Sequence, residues 1–177
     1  MKTPERYKKA DWGDVPPAIQ DKIRAALKGK KGVYFHGGVG SGKTHIIYAL
    51  AGRLEGTGAR CRVHNTTELI FDIRRDISRD VYTKARWDEV LAAYEGVLVL
   101  DDIGAEKATD FVMDTLYLII NARYVHCLPT VFTSNLPIGE LAEKIGDRTA
   151  SRIVEMCDIV KIDGQDRRIL SVKKNGV

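Results

Sequence analysis

Residues Gly37-Gly38-Val39-Gly40-Ser41-Gly42-Lys43-Thr44 follow the pattern G-x-x-x-x-G-K-[ST], which has a definite chemical use. Glycines let backbone N–H groups turn toward phosphate oxygens with no Cβ in the way. A helix starting at this point directs its positive end at the same phosphates. Lys43 is expected to reach the β and γ phosphates, and the Thr44 hydroxyl to ligate Mg²⁺. His45, next along the chain, completes the expected nucleotide contacts. The ligand this predicts is ATP with Mg²⁺.

A phosphate site of this kind requires acids nearby. Val97-Leu98-Val99-Leu100 is an apolar run that ends in Asp101 and Asp102. Asp101 is expected to hold Mg²⁺ through water, opposite Thr44. Asp102 stands where many such ATPases place a glutamate that polarises the attacking water, and it is one methylene shorter. Glu106 is a second carboxylate within reach of the same strand end. Thr133-Ser134-Asn135 closes another apolar run. Asn135 could orient the lytic water or touch the γ-phosphate, although Asn-Leu-Pro is also good turn chemistry. Arg148 and Arg152 are four residues apart and share one helical face. They could be solvated, could pair with Asp147 and Glu155, or could project into a neighbouring subunit's site as arginine fingers.

These residues need a frame. Pro16 and Pro17 suit a helix start, and Ile19, Ile23 and Leu27 repeat at four-residue spacing up to Gly29. Strands are predicted at Gly32 to His36, Arg60 to His64, Val97 to Leu100, Thr130 to Thr133 and Asp158 to Ile162. Helices are predicted from Lys43 to Glu55, about 66–79, about 81–95, Thr109 to Tyr124, Ile138 to Ile145, and again after Gly146. Asn65 with Glu68 reads as a capping pair that opens the 66–79 helix. Residues 1–14 are charged and read as extended. Apolar strands alternating with helices imply a parallel sheet covered on both faces, hence a three-layer α/β fold.

Bulk properties narrow the setting. A chain of 177 residues fits one domain with a full core. The net charge of +4 permits nucleic-acid binding without arguing for it. Cys61, Cys127 and Cys157 stand far apart, so neither a disulfide framework nor a zinc site is indicated. The polar N-terminus lacks the apolar stretch of a signal peptide, and no apolar run could span a bilayer. A cytoplasmic protein with no membrane partner is expected.

The succession GGVGSGKT, VLVLDDIG, LYLIINARY, PTVFTSNL and GDRTASRI resembles the AAA+ ATPases of the DnaC/DnaI helicase loaders and the IstB transposition helpers. ERYKKADWGDV resembles the segment that precedes their core. The likeness runs over about residues 5 to 168. It implies a P-loop NTPase of AAA+ type with a five-stranded parallel sheet, hydrolysing ATP between subunits. By resemblance, Lys43 and Thr44 fall in Walker A, and Asp101 and Asp102 in Walker B. Asn135 falls at sensor 1 and Arg152 at the arginine finger, with Arg148 as its accessory. Arg123-Tyr124 is also typical of these proteins, with no role assigned. Initiator-type relatives carry an extra helix after the second strand that contacts single-stranded DNA. Arg53 to Arg86 holds eight basic residues against five acids, and Arg74, Arg75 and Arg79 are the candidate DNA contacts.

The expected organisation is an N-terminal extension and helix over 1–31, an AAA+ core over 32–168 and a tail over 169–177, with no C-terminal lid domain. The expected function is a DNA-dependent ATPase of helicase-loader type assisting replication, possibly encoded by a phage or mobile element. Its expected partners are further copies of itself, single-stranded DNA and a DnaB-type helicase. The alternatives are an IstB-like transposition helper, a weakly hydrolysing ATP-gated DNA-binding module, and a small-molecule P-loop kinase.

Overall fold

The computed structural model describes residues 3–78 and 96–164. Five strands form one all-parallel sheet: β1 (Gly32–His36), β2 (Cys61–Asn65), β3 (Val97–Asp101), β4 (Thr130–Ser134) and β5 (Cys157–Lys161). Their spatial order is β2-β3-β4-β1-β5. The helices are α1 (Pro17–Lys28), α2 (Lys43–Gly56), α3 (Thr66–Ser78), α4 (Asp110–Val125), α5 (Ile138–Ile145) and α6 (Asp147–Met156). The predicted elements match these within a residue or two. The helix expected at 81–95 lies outside the described residues, as do Arg79 and the 169–177 tail.

The central strands β3 and β4 are buried along their whole length because each face of the sheet meets a separate core, whereas the edge strands β2 and β5 also carry Arg62, Asp158 and Lys161. Side chains alternate across a strand. Val33, Phe35, Val97, Val99 and Val131 pack with Ile23 of α1 and with Ile47 and Leu50 of α2. Tyr34, Leu98, Leu100 and Phe132 point the other way, into α3, α4, α5 and α6 through Ile73, Leu116, Leu141 and Ile153. The three-layer reading is therefore correct.

The N-terminal segment departs from expectation. Residues 1–14 were read as extended, yet Glu5–Tyr7 and Trp12–Asp14 each form a turn of 3₁₀ helix. The second turn is nucleated by Asp11, whose carboxylate accepts the Gly13 N–H at 2.7 Å. The first is anchored by aromatic stacking, with the Tyr7 ring parallel to Tyr48 of α2 at 4.8 Å between centroids. Neither a local cap nor one long-range ring stack leaves a simple periodicity in the sequence.

Arg123 now has a role. It is completely buried on α4, where its Nε donates to Thr130 Oγ1 at 2.6 Å. Its Nη2 donates to the carbonyls of Gly96 and Pro129, both at 2.8 Å. One planar fork thus ties α4 to the chain entering β3 and to that entering β4. Arg123→Ala should leave these acceptors unpaired and open a cavity, costing about 3–5 kcal/mol of folding stability. Arg123→Lys should recover only a part, because an ammonium cannot reproduce the fork. Urea melts of both variants check this; wild-type midpoints would refute it.

Candidate nucleotide-binding site

The C-terminal ends of β1, β3 and β4 open onto one cavity of about 530 Å³. It lies where a parallel α/β sheet commonly binds ligands, outside the carboxyl ends of its strands. The loop from β1 turns into α2 through left-handed backbone at Gly40 (φ 75°) and Gly42 (φ 101°). A side chain at either position would be strained, which accounts for the glycines. Lys43 is buried at the first turn of α2. Its Nζ donates to the carbonyls of Gly37 (2.8 Å) and Gly38 (2.9 Å) and to Asn135 Oδ1 (2.9 Å). Ser41 is buried beside it, and its Oγ is 3.4 Å from the same ammonium. Val39 is 60% exposed at the tip of the loop.

Asp101 is the buried carboxylate at the centre. Its Oδ1 accepts from Thr44 Oγ1 at 3.3 Å and from Thr133 Oγ1 at 2.5 Å. Burial pushes its pKa above the usual carboxylate value; the two hydroxyls oppose that shift, and the charge of Asp102 adds to it. Thr66 Oγ1, at the start of α3, donates to the Asp101 carbonyl at 2.8 Å and pins the strand end. The predicted cap of that helix is present as well, with Asn65 Oδ1 accepting the Glu68 N–H at 3.1 Å.

Asp102 sits in left-handed backbone at φ 61°, a conformation that Asp tolerates better than most residues. Its N–H donates to Thr133 Oγ1 at 2.8 Å, and its carboxylate accepts from Asn135 Nδ2 at 3.0 Å. Asn135 therefore spans Lys43 and Asp102 with its two amide atoms. The turn-only reading of Asn135 does not hold.

Glu106 requires a correction. It was read as a second carboxylate at this strand end, but it folds into its own loop. There its Oε2 accepts the Gly104 N–H at 2.8 Å and the side chain is buried. Lys144 ties down the same loop through the Gly104 carbonyl at 2.9 Å. Glu106 does not line the cavity.

The oxygen set of Thr44 and Asp101, one hydroxyl beside one buried carboxylate, suits a small hard cation such as Mg²⁺. His45 lines the cavity too, its Nε2 lying 3.9 Å from the Asp14 carboxylate. The lining residues that went unanticipated include Pro4, Arg6 and Tyr7 of the N-terminal segment and Tyr48 of α2, and Asn65 and Glu68 were read only as a helix cap. Thr133 was likewise read only as part of a strand end. The one signal for it was a hydroxyl residue directly after the apolar Val131-Phe132, at the C-terminal end of the strand.

Neither Arg148 nor Arg152 lines this cavity. Arg148 is exposed, and Arg152 lies on α4 among Tyr117, Asn121 and Tyr124. Of the candidate DNA contacts, Arg74 places its guanidinium over Phe111 at 4.6 Å. Arg75 pairs with Asp72 at 2.9 Å and Asp76 at 3.6 Å.

A glycine loop closed by a buried lysine, facing an acid at the end of a parallel strand, defines a P-loop nucleotide-binding protein. Comparison with known proteins agrees. The chain belongs to the family of the IstB-like ATP binding protein, whose model matches residues 23–175. It is 28% identical over 151 residues to the replicative helicase loader DnaI of Bacillus subtilis, covering 78% of this chain and 48% of that protein. The phage-like element PBSX protein XkdC of the same organism is 30% identical over 137 residues, covering 72% and 48%. The chain thus spans about half the length of these curated relatives. Among solved structures, that of the DnaC helicase loader matches with a TM-score of 0.78 at 27% identity, over 90% of this chain and 100% of that one. No described helix is long and apolar enough to cross a membrane.

Lys43→Ala should weaken ATP binding by about a hundredfold or more, because at least two charge-assisted hydrogen bonds of roughly 1.5–3 kcal/mol each are lost. Titration calorimetry with ATP and Mg²⁺ tests this, and retained affinity would remove the lysine from the phosphate site.

Proposed function

We propose that this chain is a Mg²⁺-dependent ATPase that assembles into oligomers on DNA, completes each active site with a residue from the next copy, and assists DNA replication in the manner of a helicase loader. One observation carries the reading. Lys43, Thr44, Asp101, Asp102 and Asn135 converge on a single cavity, while Arg152 stands outside it on another face.

In this reading the glycine-loop N–H groups and Lys43 hold the phosphates. Thr44 and Asp101 hold Mg²⁺, which when bound would neutralise charge on the β and γ phosphate oxygens. Asp102 positions the attacking water. Asn135 holds the Asp102 carboxylate through one Nδ2 hydrogen and donates the other to the γ-phosphate, while its Oδ1 accepts from Lys43. Arg152 of a neighbouring copy supplies the remaining positive charge, with Arg148 beside it. Phosphates of single-stranded DNA are the proposed activator, and a DnaB-type helicase is the proposed partner. The helicase-loader relatives support this assignment, as does the phage-like element relative for a mobile-element origin. Three cysteines, all free, suit a reducing cytoplasm.

The family match favours a second reading, a transposition helper that acts on double-stranded DNA and recruits a transposase. Affinity capture from the native host separates the two, with a helicase expected under the first and a transposase under the second.

Arg152→Ala should spare ATP binding and lower DNA-stimulated turnover about a thousandfold, the range typical of a trans-acting arginine. Unchanged turnover would overturn the interface model. Light scattering should show mass growing with ATP and single-stranded DNA together; a monomer under every condition would count against it.

A further inference from the structure

Arg152 is not a loose surface side chain. Its Nε donates to Asn121 Oδ1 at 2.8 Å, its Nη1 to the Arg148 carbonyl at 2.9 Å, and its Nη2 to Tyr117 OH at 3.3 Å. The guanidinium also lies over two rings, 4.9 Å from the Tyr117 centroid and 5.6 Å from that of Tyr124. An arginine carries five N–H donors: one on Nε and two on each terminal nitrogen. Three are used here. Among the described residues, one N–H on each terminal nitrogen remains uncommitted, the number a bidentate phosphate contact requires.

The charges around it matter equally. Asn121 is a neutral acceptor, so it orients the guanidinium without cancelling its charge. The nearby carboxylate, Glu155, accepts from Tyr124 OH at 2.5 Å. That bond engages one carboxylate oxygen and steadies the ring beneath the cation. Tyr117, Asn121 and Tyr124 all stand on α4, spaced three and four residues apart along one stripe. The same helix turns its buried Arg123 into the protein, which fixes its rotation.

We infer that Asn121 and Tyr117, with Tyr124 held by Glu155, are positioning residues that present Arg152 as a preoriented two-pronged cation to the phosphates of a neighbouring copy's nucleotide. The inference rests on the trans-arginine reading proposed above and adds the residues that make it work. A free arginine would lose side-chain entropy on reaching a phosphate, whereas one held in plane beforehand loses little. Preorganised charge is also what stabilises a transition state most effectively.

The test compares steady-state turnover of the full chain with ATP, Mg²⁺ and single-stranded DNA across Arg152→Ala, Asn121→Ala, Asn121→Asp and Tyr117→Phe. Asn121→Ala should lower kcat about tenfold or more, with KM for ATP within about twofold, since misplacing a catalytic group by about 1 Å costs on the order of a hundredfold. Asn121→Asp keeps the acceptor yet adds a charge against the cation, and should also lose kcat. Tyr117→Phe, which keeps the ring, should retain most activity.

Mixing provides the readout that a merely structural defect would not move. Lys43→Ala subunits have an intact Arg152 platform but no nucleotide site of their own. Added to Asn121→Ala subunits they should restore turnover, although each is impaired alone. If Arg152→Ala turns over normally, the trans reading itself fails. If Arg152→Ala is inactive while Asn121→Ala and Asn121→Asp keep wild-type kcat, the positioning inference fails alone. A fall in ATP affinity or melting temperature matching the fall in kcat would also overturn it, and Asn121→Asp, the near-isosteric change, applies if the alanine variant does not fold.

Discussion

Asp101 is charged chemistry placed where water is scarce, and much of the molecule is arranged around that problem. A carboxylate taken out of water is costly unless hydrogen bonds replace its hydration. Here Thr44 from α2 and Thr133 from β4 provide them, while Thr66 from α3 holds the backbone carbonyl of the same residue. Three elements are thereby drawn to one strand end. The resulting site is small and oxygen-rich beside an ammonium, which is the environment a nucleotide phosphate with its cation requires.

Strand order makes this possible. With β4 inserted between β3 and β1, the chain leaving β4 emerges between the glycine loop and the acids. Asn135 can then touch Lys43 with one amide atom and Asp102 with the other. In a sheet with β3 directly beside β1, no side chain from β4 would bridge them. The register keeps both neighbours level, Leu100 opposite Phe132 on one side and Phe35 opposite Thr133 on the other.

A second division of labour runs along α4. Its inward face carries Arg123, which clamps the chain entering β3 and β4. Its outward face carries the tyrosine and asparagine stripe that receives Arg152 from α6. Two arginines of similar chemistry thus have opposite situations. Arg123 ties structural elements together from a fully buried position, while Arg152 is part-exposed and, among the described residues, has two N–H groups uncommitted.

Much of this could be read from the residues directly. The glycine loop, Lys43, Thr44 and the acids ending an apolar strand declare themselves because backbone geometry and phosphate chemistry tolerate few alternatives. The three-layer fold was legible from short, mostly apolar strands alternating with helices, and Asn65 with Glu68 from local capping chemistry. What the tertiary structure alone decided is distant in sequence. It paired Thr133 with Asp101, folded the N-terminal segment across the cavity, buried Arg123 and laid Arg152 on α4. Sequence patterns report on neighbours one helical turn or one strand step away. Those four outcomes depend instead on strand order and helix rotation, which are set by packing of the whole chain.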